Sequence, residues 1–194
     1  MKIKLIGVIA ALGLAFATST FAAPLKLTPA NPQPTGLKPG LSVSYGYASD
    51  GQHIKTLADA AAALNQRAER GQPLKGLDYR DTNPGERTLT SKRAENVAAS
   101  IQGYIRFDAP GIYNIDFLTN DGLNAKIGGQ RVGYYDGRQT CDTTVATQVQ
   151  VPVAGWYKLE ALYFQRLQTA CLHMRWGPQG SKIKWVPNSA FAYR

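Results

Sequence analysis

Hydrophobic and polar residues alternate over short stretches of this chain, a pattern typical of β-strands with one buried face. These stretches are separated by turn residues, chiefly Gly, Pro, Asn and Asp. The predicted strands cover residues 41–47, 97–107, 112–118, 124–127, 130–133, 144–151, 156–164 and 171–176. Tyr113, Phe117, Trp156 and Trp176 are expected to face the core. Many short strands at this spacing predict an all-β fold, an antiparallel sandwich or barrel.

One segment departs from the alternation and has the spacing of an amphipathic helix. Leu57 and Leu64 lie seven positions apart in an alanine-rich run. Thr56 is a suitable N-cap, and Gly71 follows as a C-cap. The sequence therefore predicts a single peripheral α-helix over residues 56–70.

Residues 1–22 have the composition of a secretory signal peptide. Lys2 and Lys4 precede an apolar run over residues 5–17, and small residues lead to a cleavage site after Ala22. An uncleaved membrane anchor is the alternative, but the run is short for a spanning helix of about 20 apolar residues. We therefore expect export to the periplasm or the extracellular medium, without a transmembrane anchor.

Residues 23–39 contain five prolines. Because proline fixes φ and lacks the amide hydrogen that a strand ladder uses, this segment is predicted to be an extended arm outside the sheets. Residues 40–194 are predicted to form the β domain, which is expected to fold without the arm.

The mature chain is basic. Cleavage removes Lys2 and Lys4, so 20 basic residues stand against 13 acidic ones, a formal charge of +7. This balance favours acidic partners such as an anionic polysaccharide or a membrane surface, although a solvated basic surface without a partner also explains it. Nucleic acid is not expected, because the basic residues are scattered and no zinc finger or RNA-binding aromatic signature accompanies them.

Cys141 and Cys171 are the two cysteines of the sequence. An even pair in an exported chain favours a disulfide, and two cysteines are too few for a four-cysteine metal site.

An ordered series of short motifs runs through residues 103–178. The motifs are GYIRF at 103–107, PGIY at 110–113, TNDG at 119–122, IGGQRV at 127–132, AGWY at 154–157, LYF at 162–164 and LHMRW at 172–176. This series resembles the protective-antigen-type domain, or PA14 domain. The resemblance implies a β-sandwich or barrel of the kind found in toxins, adhesins and carbohydrate-active proteins.

The resemblance also implies a candidate metal site. In the fungal adhesin branch of the family, two consecutive aspartates hold a calcium ion that contacts sugar hydroxyls. Asn120 and Asp121 occupy the matching positions here, so one of the two acids is replaced by an amide. Calcium needs six to eight oxygen ligands, so further ligands would come from the loop that holds Asp136 and Asp142 or from backbone carbonyls. Calcium is thus a candidate cofactor with weaker affinity than in the two-aspartate branch.

The candidate ligand-binding site is the polar turn between two apolar strands together with the loop opposite it. Its residues are Asn120, Asp121, Gly122, Tyr134, Tyr135 and Arg138. Gly122 is expected to let the backbone approach a ligand, the two tyrosines offer rings for stacking on a sugar, and Arg131 and Arg138 suit acidic sugars. The same turn is also explained by an ordinary Asx turn without a ligand.

Catalytic motifs are absent from the sequence. There is no nucleophile elbow, zinc-binding His-Glu helix or phosphate loop, and the two histidines are placed in a turn and beside a cysteine. The sequence therefore favours a non-catalytic, exported module that binds a glycan or polysaccharide. The alternative is a structural or interaction protein of the cell envelope that uses the same barrel without a sugar site.

Overall fold

The computed structural model describes residues 23–194; the predicted signal peptide, residues 1–22, lies outside this range. Two β-sheets and one α-helix make up the described chain, which confirms the predicted all-β fold with one peripheral helix. Within this range no helix is long and apolar enough to span a membrane.

The strands vary in length from two to eleven residues. In chain order, β1 to β15 span Leu25–Lys26, Lys38–Pro39, Ser42–Tyr47, Glu69–Arg70, Asp78–Tyr79, Val97–Phe107, Gly111–Asn120, Gly122–Ile127, Gln130–Tyr135, Asp142–Thr143, Thr147–Val151, Gly155–Gln165, Cys171–Pro178, Lys184–Trp185 and Phe191–Tyr193. The helix α1 spans Leu57–Gln66, and a 3₁₀ turn spans Asn188–Ala190.

The strands form a seven-stranded and an eight-stranded sheet. The first has the order β1-β11-β7-β13-β14, with β10 also paired to β7 and β5 to β13. The second has the order β2-β15-β6-β12-β8-β9, with β3 paired to β6 and β4 to β3. Among the described strands all pairings are antiparallel except that of β1 with β11.

The core contains an aromatic cluster between the two sheets. Phe107 packs against the rings of Tyr113, Tyr157 and Trp176 at centroid distances of 5.1, 5.3 and 4.8 Å. The expectation that Trp156 faces the core is wrong. Neighbouring residues of a strand point to opposite faces, and Tyr157 is the buried member of this pair, with its hydroxyl donating to Val153 O at 2.6 Å.

The helix begins where the sequence predicts and ends four residues earlier. Thr56 and Asp59 form a capping box at its start. The N–H of Arg67 makes the last helical hydrogen bond, to Ala63 O, and the helix ends at Gln66 because Glu69–Arg70 pairs with β3 instead. Gly71 then passes so close to Tyr45 that a Cβ at this position would lie 2.4 Å from the ring. Tertiary pairing therefore decides the end of α1.

The arm, residues 23–39, does not stay outside the sheets, which corrects the expectation based on its prolines. β1 and β2 extend the two sheets by pairing with β11 and β15, at edges where a strand donates hydrogen bonds on one side only. Between them, Leu27 is 1% exposed and belongs to the main core. The N–H of Ala30 donates to Trp156 O at 2.9 Å. The arm is thus part of the sandwich.

We predict that Leu27→Ala lowers the free energy of unfolding by about 3 kcal/mol, because it leaves a cavity in the core. Leu25→Ala is the matched control: Leu25 lies in the same arm but is 36% exposed, so its effect should stay below about 1 kcal/mol. Urea denaturation of the mature protein measures both values. Equal effects of the two substitutions would mean that the arm is detached in solution.

Candidate functional site

The predicted polar turn links the two sheets at one end of the sandwich. The chain leaves β7 of the first sheet at Asn120 and enters β8 of the second sheet at Gly122. The Asn120–Asp121 peptide bond is cis. Asn120 lies opposite Cys171, the first residue of β13, and Gly122 lies opposite Phe164, close to the end of β12. The turn therefore meets the 166–170 loop, which connects β12 to β13.

Asp121 joins this turn to two other loops through its side chain. The backbone N–H of Gln139 donates to Asp121 Oδ1 at 3.2 Å, and the backbone N–H of Arg166 donates to Oδ2 at 2.7 Å. The residue is 5% exposed. Burial raises the pKa of the Asp121 carboxyl, while the two backbone donors and the guanidinium groups of Arg138 and Arg166 act in the opposite direction. Asp121 thus braces three segments of the chain.

Asn120 and Gly122 hold the turn on either side of Asp121. The Asn120 amide donates to Thr169 Oγ1 at 2.9 Å, and Asn120 O accepts from the hydroxyl of the buried Tyr163. At Gly122, an added Cβ would lie 2.1 Å from the Phe164 ring. The missing side chain of Gly122 therefore makes room for Phe164, a packing role in place of the expected approach of a ligand.

The 136–141 loop is held at Cys141 and at Gln139. The predicted disulfide between Cys141 and Cys171 is present and ties this loop to the start of β13, with 5.8 Å between the two Cα atoms. The Gln139 amide donates to Thr119 O at 2.9 Å. His173 lies beside the disulfide, but the bonded cysteines offer no thiolate to a metal.

A pocket of about 400 Å³ opens between the turn and the two loops; we call it the loop pocket. It is lined by Asn120, Asp121, Arg138, Gln139, Thr140, Arg166, Leu167, Gln168 and Thr169. Three of the predicted ligand-binding residues are among them, namely Asn120, Asp121 and Arg138. Its lining of amides, hydroxyls and guanidinium groups is suited to a polar ligand.

The two predicted tyrosines lie outside this lining. The hydroxyl of Tyr135 donates to Arg138 O at 2.9 Å, so Tyr135 supports the loop that carries Arg138. Tyr134 is 47% exposed, and the Arg131 guanidinium lies 4.6 Å from its ring centre. Tyr134 and Arg131 thus form a separate pair on β9.

Sequence reasoning missed the 166–170 loop, which contributes Arg166, Gln168 and Thr169 to the pocket. The position of this loop could have been predicted from the strands expected over residues 124–127 and 156–164. If these two strands are paired antiparallel, as the structure pairs them, the end of the second strand lies beside the polar turn.

The residues of the loop pocket do not form a suitable ligand set for calcium. Asp121 is its one carboxylate, and both oxygens already accept backbone hydrogen bonds. The Asp136 carboxylate accepts from the N–H of Leu57 at the start of α1, and the Asp142 carboxylate accepts from the N–H of Thr143. Neither residue lines the loop pocket. Two guanidinium groups line the pocket, and like charges disfavour a bound cation.

Comparison with known proteins identifies the fold. The PA14 domain family matches residues 81–190. No curated protein is significantly similar in sequence. The PA14 domain of the MpAFP antifreeze protein is 16% identical, with a TM-score of 0.67 over 82% of this chain and 93% of its own. The PA14 sugar-binding domain from an RTX adhesin is 16% identical, with a TM-score of 0.63 over 80% of this chain and 99% of its own. The epithelial adhesin 9 A domain from Candida glabrata, in complex with Galb1-3GlcNAc, is 13% identical, with a TM-score of 0.66 over 84% and 92%.

We predict that Asp121→Ala lowers the free energy of unfolding by about 2–4 kcal/mol, because it leaves two buried N–H donors without an acceptor. Asp50→Ala, which removes an exposed carboxylate in a turn, is the control and should change the value by less than about 0.5 kcal/mol. Urea denaturation in the absence of sugar measures both. If Asp121→Ala behaves like the control, the carboxylate does not brace the loops.

Proposed function

This chain belongs to the PA14 domain family, and we propose that it is an exported, non-enzymatic module that binds glycans in the loop pocket. The observation that carries the proposal is the convergence of three braced segments on an open pocket, most of whose lining residues have polar side chains, at the end of the sandwich. Sugar hydroxyls both donate and accept hydrogen bonds, as do the amides of Asn120 and Gln139 and the hydroxyls of Thr140 and Thr169.

The similar structures support the choice of ligand class. One is a sugar-binding domain from an adhesin, and another is an adhesin domain in complex with a disaccharide. Because their identity with this chain is low, their structural similarity establishes only the fold. The residues of the loop pocket supply the remaining support for a glycan ligand.

A binding role is favoured over glycoside hydrolysis. Glycosidases use two carboxyl groups on opposite sides of the scissile bond, one as acid and one as base or nucleophile. Asp121 is the one carboxylate that lines the loop pocket, and its oxygens are engaged by Gln139 and Arg166. The pocket therefore lacks the second group that hydrolysis requires.

Export is supported by two features of the chain. The Cys141–Cys171 disulfide is stable in oxidising compartments such as the periplasm and the extracellular medium. The predicted signal peptide over residues 1–22 would direct the chain there. We expect the mature protein to begin at residue 23.

The ligand is tested by probing a glycan array with the mature protein and measuring the hits by calorimetry. Thr140→Trp places a large ring at the mouth of the loop pocket and should weaken binding by about tenfold or more, because the ring occupies the space of the sugar. Asp121 is unsuitable for this test, since its loss also disturbs the loops.

Thr35→Trp is the matched control, because Thr35 is an exposed threonine of the arm. Its affinity should equal that of the wild type. Retention of the glycan by Thr140→Trp would place the site elsewhere. An array without any hit would favour the alternative, an interaction protein of the cell envelope.

A further inference from the structure

The loop pocket contains two guanidinium groups without a counter-ion. Arg138 and Arg166 come from different loops, and within residues 23–194 neither forms an ion pair with a carboxylate. The Nε–H of Arg166 is buried and donates no hydrogen bond to the described chain. A buried donor without a partner is unfavourable, so this atom indicates a missing acceptor.

Several arginines elsewhere in the described chain pair with carboxylates. Arg175 makes a two-point contact with the buried Asp116, at 2.9 and 2.6 Å. Arg106 pairs with Asp108 at 2.8 Å. The fold thus supplies carboxylate partners to some arginines, whereas Arg138 and Arg166 line one pocket without such partners and can interact with a ligand there.

Asp121 offsets only part of the charge of the two guanidinium groups. Its two oxygens accept from backbone N–H groups, and its side chain lies beyond ion-pair distance of both guanidinium groups. Two positive groups and one negative group leave the pocket with a formal charge of +1. The site therefore attracts an anion.

The backbones of both arginines are positioned in advance. Asp121 accepts directly from the N–H of Arg166, and it accepts from the N–H of Gln139, next to Arg138. The hydroxyl of Tyr135 holds Arg138 O. Binding therefore requires ordering of the two arginine side chains and little ordering of the loops, which favours affinity.

We propose that Arg138 and Arg166 bind the carboxylate of an acidic sugar, so that the loop pocket recognises uronic-acid glycans without a metal ion. This inference rests on the proposed glycan-binding function and names its substrate class. A guanidinium group matches a carboxylate through two parallel N–H donors, and the nearby amides and hydroxyls of the pocket remain available for the ring hydroxyls. The positive charge that holds the sugar comes from the protein itself.

The test uses a galacturonic acid trisaccharide and its carboxyl-reduced counterpart, which differ only in the charged group. Calorimetry with the mature protein should show binding of the acidic sugar that is at least tenfold tighter and is unchanged by EDTA. Arg138→Gln and Arg166→Gln should each weaken binding of the acidic sugar by about tenfold or more, with a change below about threefold for the neutral sugar. Arg138→Lys and Arg166→Lys keep the positive charge but lose the two parallel N–H donors of the guanidinium group. Their affinity for the acidic sugar should therefore lie between those of the wild type and the Gln variants.

Arg131→Gln is the control, because it removes the same charge from β9, outside the loop pocket. Arg131→Gln should leave the affinities for the acidic and the neutral trisaccharide within about twofold of the wild-type values at physiological salt. Thermal melting of each variant confirms that the fold is retained.

Equal binding of both sugars, or unchanged affinity in both Gln variants, would overturn this inference alone. So would acidic-sugar binding that EDTA abolishes and calcium restores, or tighter binding of a sulfated galactose trisaccharide. Failure of the protein to bind either sugar or any glycan on the array would overturn the proposed function as well.

Discussion

The arrangement of the loop pocket depends on one buried carboxylate. Asp121 lies in the polar turn that links the two sheets, and its carboxylate accepts hydrogen bonds from the backbones of two loops. A carboxylate can accept several hydrogen bonds, and each bond to backbone N–H compensates part of the cost of its burial. The residue that resemblance suggests as a metal ligand therefore also has a structural task, which is to hold three segments at fixed distances.

The sandwich supplies a rigid frame for these segments. The long strands β7 and β12 end beside the polar turn, and β13 begins there. The disulfide joins the start of β13 to the 136–141 loop. The arm adds one short strand to one edge of each sheet, and Leu27 between these strands lies in the core. Packing and pairing thus restrict the loops before any ligand arrives, which is the condition for a selective polar site.

Charge is distributed unevenly over this frame. Arg175, Arg106 and Arg80 lie on strands or beside them and have carboxylate partners. Arg138 and Arg166 lie on loops and have none within the described residues. Arg138 and Arg166 differ from other arginines without a carboxylate partner, such as Arg131 on β9, because both line the loop pocket and are available to a ligand there. This difference is the physical basis for expecting an acidic glycan.

The sequence alone determined the features that depend on neighbouring residues or on simple counting. Alternation predicted the strands, the Thr56 cap predicted the start of the helix, and a single pair of cysteines allowed only one disulfide. Tertiary structure decided the end of the helix, the pairing of the arm, the outward direction of Trp156 and the place of Arg166 in the pocket. Each of these depends on contacts between residues far apart in the chain. Local periodicity does not contain that information, because the pairing of β12 with β8 sets which loops lie together.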